Sequence, residues 1–161
     1  MRNLVSSIAA AALTVGVFVA ATGPASANEA RVEARGGVVW NGNDNSEAVA
    51  GLAAGYDFDL GDTLFAGPEV SAEKILDDDT RVSFGFGGRV GAKLGEKGRL
   101  FVASTWQTKP CAGCEEFVTL GGGYQHKFAG NLYGKVEYRH LFVGDGFPDA
   151  DTAFVGLGMT F

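Results

Sequence analysis

Few side chains in this sequence are able to do chemistry, and their spacing is the first thing to test. Cys111-Ala-Gly-Cys114 supplies the two cysteines of the 161-residue chain, and His126 and His140 are its two histidines. A CxxC pair makes a zinc site only with two further ligands, and none is apparent. A haem attachment signal needs His directly after the second Cys, where Glu115 stands. Redox-active CxxC pairs sit at a helix N-terminus, which this polar, loop-like segment does not offer. The expectation is an oxidised structural clip formed in an oxidising compartment. Nucleophilic chemistry is no better supplied. A His-x-Ser arrangement would need Ser two residues after a histidine, but Phe142 follows His140 and Phe128 follows His126. Ser104 has no obvious partner. Asp77-Asp78-Asp79 and the group Asp145, Asp149 and Asp151 are read as solvated charge on loops rather than as a calcium site. No catalytic residue, cofactor or metal is expected.

Composition narrows the remaining classes. The chain is long enough for one domain, is 46% hydrophobic and 20% charged, and has a formal net charge of −6. The apolar fraction excludes disorder, and two cysteines exclude a disulfide-built scaffold. The acidic balance argues against a nucleic-acid partner, which calls for a basic face. Arg2, the apolar run Leu4–Ala21 and the small-x-small end Ala25-Ser26-Ala27 form an export signal over residues 1–27, cleaved to leave 28–161 as one domain. No later apolar stretch is long enough for a membrane helix, so any membrane role must be carried by strands.

Period 2 dominates from residue 31 onward. In Arg81–Leu94 the set Val82, Phe84, Phe86, Val90, Ala92 and Leu94 alternates with Arg81, Ser83, Arg89 and Lys93. A strand separates these sets onto two faces, whereas a helix would mix them. The same separation recurs over 31–40, 47–60, 63–75, 99–107, 117–128, 131–142 and 152–161. Eight segments of about ten residues match strands that cross a bilayer at a tilt. Tight turns at Gly61-Asp62, Gly95–Gly98 and Ala129–Asn131 alternate with longer polar connections at 41–46, 76–80, 108–116 and 143–151. The predicted fold is an all-β, eight-stranded, antiparallel up-and-down transmembrane β-barrel with both termini on the short-turn side.

Which face meets lipid follows from the charges. One face carries Arg31, Arg35, Arg81, Arg89, Lys93, Arg99, Lys127, Lys135 and Arg139 against Glu33, Glu47, Asp57, Asp59, Glu69, Glu73 and Glu137. Nearly balanced signs suit a closed lumen in which charges pair. A lumen network is therefore expected from Arg31, Glu33, Arg35, Glu69, Glu73, Arg81, Arg89, Lys93, Lys135, Glu137 and Arg139. Gly85, Gly87, Gly91, Gly121, Gly123, Gly156 and Gly158 share that face and leave room for long side chains in a narrow barrel. On the other face, aromatic residues gather at strand ends. Trp40, Trp106 and Phe142 lie at the loop end, and Tyr56, Phe58, Tyr124, Phe128 and Phe161 at the turn end, as two interfacial girdles. Pro68 fits badly inside a strand, since it removes a ladder hydrogen bond, and calls for a bulge or a lumen water.

With these features the chain resembles the small outer-membrane β-barrel proteins, the OmpA/OmpX-type and opacity-protein-like porin superfamily. The resemblance rests on Gly134-Lys-Val-Glu-Tyr-Arg-His140 and on the ending Val155-Gly-Leu-Gly-Met-Thr-Phe161. It implies a barrel in the outer membrane of a Gram-negative bacterium, with the terminal aromatic Phe161 read by the barrel-assembly machinery. The partners expected are outer-membrane lipid, that machinery and a surface ligand of unknown kind, the barrel itself being a monomer. The fold alone assigns no single activity. A non-enzymatic structural or surface-interacting role through four loops is expected, with a narrow porin as the alternative and a lipid-modifying hydrolase as a weaker third reading.

Overall fold

Alternating bulky apolar residues with charged or small ones gives each strand two unlike faces, and eight such strands can hide one set only by closing on themselves. The computed structural model describes residues 28–42, 46–144 and 146–161. The expected export signal over 1–27, and Asp145, lie outside them. The strands are β1 Glu29–Trp40, β2 Ser46–Leu60, β3 Leu64–Ile75, β4 Ser83–Leu94, β5 Gly98–Gln107, β6 Phe117–Ala129, β7 Leu132–Val143 and β8 Ala150–Thr160. Each pairs antiparallel with its sequence neighbour, and β1 pairs with β8 from Arg31↔Thr160 to Trp40↔Asp151, so the sheet is a closed transmembrane β-barrel. Closure leaves no edge strand whose backbone groups would go unpaired in hydrocarbon. The short turns are built on Gly61, Gly95 and Gly130, with φ of 78°, 68° and 55°, a conformation that costs a side-chain-bearing residue more.

The faces are inverted relative to a water-soluble barrel. Arg31 and Arg139 are each 1% exposed, whereas Val155 and Leu157 are 65% and 67% exposed. Several sequence expectations need correction, among them β1, which begins at Glu29 rather than 31. β4 starts at Ser83, so Arg81 and Val82 belong to the preceding loop. β8 starts at Ala150, two residues before the expected 152, because Leu141↔Ala150 and His140↔Asp151 extend its ladder with β7. Pro68 produces no bulge. β2 and β3 keep one frame from Gly55↔Glu69 to Phe58↔Ala66, and the ladder simply lacks the two pairs between them. On its other side Pro68 pairs with Gly88. An irregularity does occur where β6 meets β7, between Lys127 and Ala129.

Lumen-facing glycines make the tight closure possible, and not all by the same means. A Cβ on Gly121 would lie 2.1 Å from the Tyr138 carbonyl oxygen and 2.8 Å from Arg139 Cα, so the β6–β7 backbone itself blocks it. A Cβ on Gly85 would meet mainly side-chain ends, Ser71 Oγ at 2.3 Å and Gln107 Nε2 at 2.6 Å, which can swing away. Gly121→Ala is therefore expected to cost about 1–3 kcal/mol of overpacking. Gly85→Ala should cost clearly less. Urea midpoints for the two refolded variants check this, and equal midpoints would refute the distinction.

Candidate functional site

The lumen is the most heavily functionalised part of the molecule. Side chains on β1, β2, β3, β4, β5 and β7 point inward at alternate positions, and their charges meet across the barrel. Glu69 on β3 is the central acceptor. It receives Arg31 Nη2 at 2.8 Å, Arg139 Nη2 at 2.9 Å and Arg35 Nη1 at 3.3 Å. Toward the turn end Asp57 accepts from Arg89 Nη2 at 2.5 Å and Arg99 Nη1 at 3.1 Å, with Arg31 Nε at 3.5 Å. Toward the loop end Glu73 pairs with Arg35 and, at 3.6 Å, with Arg139. Along β7, Glu137 accepts from Arg139 Nε at 2.5 Å and lies 2.8 Å from Lys135 Nζ. Lys135 also pairs with Glu33, which accepts the Tyr133 hydroxyl at 3.0 Å. Lys93 pairs with Asp59 at 2.5 Å, close to the turn end. Such contacts offset the several kcal/mol needed to take each ion out of water.

Arg81 is the one expected member of the network that is not in the lumen. It is exposed on the loop before β4, where its guanidinium donates to the Lys109 carbonyl at 3.3 Å and the Cys111 carbonyl at 3.1 Å. Its backbone N–H donates to Pro110 O at 2.8 Å, so it braces the 108–116 loop. That loop also holds the Cys111–Cys114 disulfide. Parity of the sequence carried Arg81 inward; the strand ends before reaching it.

Aromatic residues inside the lumen were not anticipated. Phe65, Phe101, Tyr133 and Phe154 are buried among the charges. Arg89 lies 5.3 Å from the Phe65 ring centre and 5.1 Å from that of Phe101, Arg99 lies 5.3 Å over Phe65, and Arg35 lies 5.0 Å over Phe154. These cation–π contacts help replace lost hydration. The signal was available, since all four share the parity of the charged face. Treating every strand aromatic as lipid-facing conceals it.

On the outer face, aromatic residues gather near both ends of the barrel. Trp106 and Phe142 are exposed near the loop end, Trp40 is half-buried there, and Tyr56, Phe58, Tyr124, Phe128 and Phe161 ring the turn end. The loop-end belt also contains Phe86, 6.2 Å ring to ring from Trp106, and Tyr138, 6.3 Å from Trp40. His140 sits in this belt. Its Nδ1 is 2.8 Å from Asp151 Oδ1 and its Nε2 is 3.6 Å from Asp149, while Tyr138 donates to Asp151 at 2.5 Å. Leu120 pairs with His140 on one side and with Ser104 on the other, so a full strand separates histidine from serine. The carboxylate–histidine pair therefore has no hydroxyl nucleophile at Ser104.

No family model and no curated protein matches this sequence. Solved structures do match. The N-terminal β-barrel domain of Pseudomonas aeruginosa OprF aligns over 85% of this chain and 100% of its own, with 14% identity and a TM-score of 0.61. Neisserial surface protein A (NspA) aligns over 83% and 97%, with 11% identity and a TM-score of 0.57. Ail, the attachment invasion locus protein of Yersinia pestis, aligns over 83% and 97%, with 10% identity and a TM-score of 0.56. The fold is that of a small outer-membrane β-barrel. At these identities the likeness is one of architecture, and what distinguishes this barrel is its own lumen and loops.

Proposed function

We propose that this barrel resides in a bacterial outer membrane with both termini in the periplasm, and serves a structural or surface-interacting role through its four loops. Its lumen is closed to solutes by its own side chains. The observation that carries the reading is Glu69 on β3, gripped by arginines from β1 and β7, so that one ionic knot spans the cross-section. Eight strands leave an interior just wide enough for side chains. Two of the similar structures are a surface protein and an attachment protein by name, which supports a surface role. Acyl chains cover the outer apolar face, and the β8 segment ending at Phe161 is what the barrel-assembly machinery engages. The barrel acts as a monomer without enzymatic activity. His140, held by carboxylates and separated from Ser104 by the whole of β6, supports that last point.

The narrow-porin reading draws on the same polar lumen, because charged walls would pass ions if the knot opened. Planar-bilayer recording of the pure refolded protein separates the two. Closed traces with no reproducible step are expected. Stable unitary openings would overturn the closed lumen in favour of a pore.

A further inference from the structure

The lumen changes character along its axis. Above the layer of Glu73 and Arg139, the lining turns mainly apolar, with Val39 on β1, Val49 on β2, Ile75 on β3, Phe117 on β6 and Leu141 on β7, and with Ser83 and Thr152 as polar members. Phe147 and Pro148 from the 144–149 loop, with Pro110 and Cys114 from the disulfide loop, lean over this collar. They enclose a half-open cavity of about 340 Å³. Lipid does not reach these inward faces, so the membrane gives no reason for them to be apolar. Nor do they fill the space by packing together. Val39, Ile75, Phe117 and Leu141 remain half-buried, and Phe147 is 47% exposed. A concave apolar surface of this size, left open at a mouth, has the dimensions of a small-molecule site.

Charge selects the ligand class. Glu47 stands on the rim with no ion pair among the described residues, whereas Glu73 at the floor is already neutralised by Arg35 and Arg139. Asp77, Asp78, Asp79, Glu116 and Asp149 lie on the surrounding loops. Of the nearby cations, Lys109 pairs with Glu115 at 2.8 Å, while Arg81 and Lys74 donate to loop carbonyls and keep their charge, so the carboxylates around the mouth still outnumber them. An anionic rim around aromatic and aliphatic walls attracts an organic cation through carboxylate attraction and cation–π contact with Phe117 and Phe147. We propose that the loop-end mouth binds small hydrophobic monocations of the aryl- or alkylammonium class, with Glu47 as the counter-charge. The site lies above the ionic knot, so it does not depend on whether the lumen conducts.

The test is a titration of the full mature barrel, reconstituted in phospholipid nanodiscs, with three probes of equal size. These are 2-naphthylmethylammonium, neutral 2-naphthylmethanol and anionic 2-naphthoate. Backbone amide shifts report the location of binding. Saturable shifts at Val49, Ile75, Phe117 and Phe147 are expected, with the cation binding at least tenfold tighter than the anion. Glu47→Gln should lower that preference at least threefold, and Val143→Arg, which puts a cation into the mouth that Val143 also lines, should abolish cation binding. A gel-migration check before and after boiling confirms that each variant is folded, and the Glu47→Gln result stands alone if Val143→Arg is not. Shifts that never saturate, that appear equally at lipid-facing Val102 and Leu120, or that follow the anion as strongly as the cation would overturn the proposal.

Discussion

Glu69→Leu should lower the stability of the folded barrel by about 3–5 kcal/mol, the usual cost of removing one partner from a buried ion cluster. Three arginines lose their common acceptor at once, and Arg31 and Arg139 are 1% exposed, so water cannot take over. Arg31 retains Asp57 at 3.5 Å and Arg139 retains Glu137, which keeps the loss within that range rather than abolishing folding. Glu69→Gln keeps an oxygen acceptor and should recover part of the stability, though not the charge. Urea unfolding in lipid vesicles, followed by gel migration, reads both variants. A Leu variant with an unshifted midpoint would show that the arginines are already solvated and that the knot contributes nothing.

Val102→Arg tests the opposite face. Val102 lies mid-strand on β5, between Val90 of β4 and Gly122 of β6, and points outward with about half its surface exposed. An arginine near the bilayer centre of a barrel costs about 2–4 kcal/mol. Snorkelling toward an interface relieves little from that depth. Leu60→Arg, at the turn end of β2 and inside the aromatic girdle region, should cost about 0–1 kcal/mol by the same depth dependence. If the two variants unfold at the same urea concentration, the outward face is not buried in hydrocarbon.

Strand number, antiparallel order, turn positions and the inside–outside parity were all legible in the sequence. Each depends on local alternation, and a one-residue slip would have put a whole charged set into lipid. What depends on contacts between distant strands was less visible. Asp57 is a second hub of the lumen because Arg31, Arg89 and Arg99 converge on it from three other strands, and no spacing in the chain encodes that convergence. Strand parity already turns Phe65 and Phe101 inward; what the sequence does not encode is that arginines from other strands stack on them. Arg81 shows the limit of parity itself. The alternation continues past the end of β4 into the loop, where its side chain finds carbonyl acceptors instead of carboxylates. The apolar collar at the mouth was equally hidden, since Val39, Val49 and Ile75 read as ordinary strand residues until the barrel brings them around one cavity.

That hydrocarbon touches one side of every strand and never the other can be measured without altering the protein. Methyl-resolved nuclear Overhauser contacts from lipid acyl chains should appear at Val90, Val102, Val136 and Leu157. They should be missing at Ala53, Ala103, Thr105 and Thr119, which are buried in the lumen. Acyl contacts at the second group, or their absence from the first, would contradict the inverted barrel.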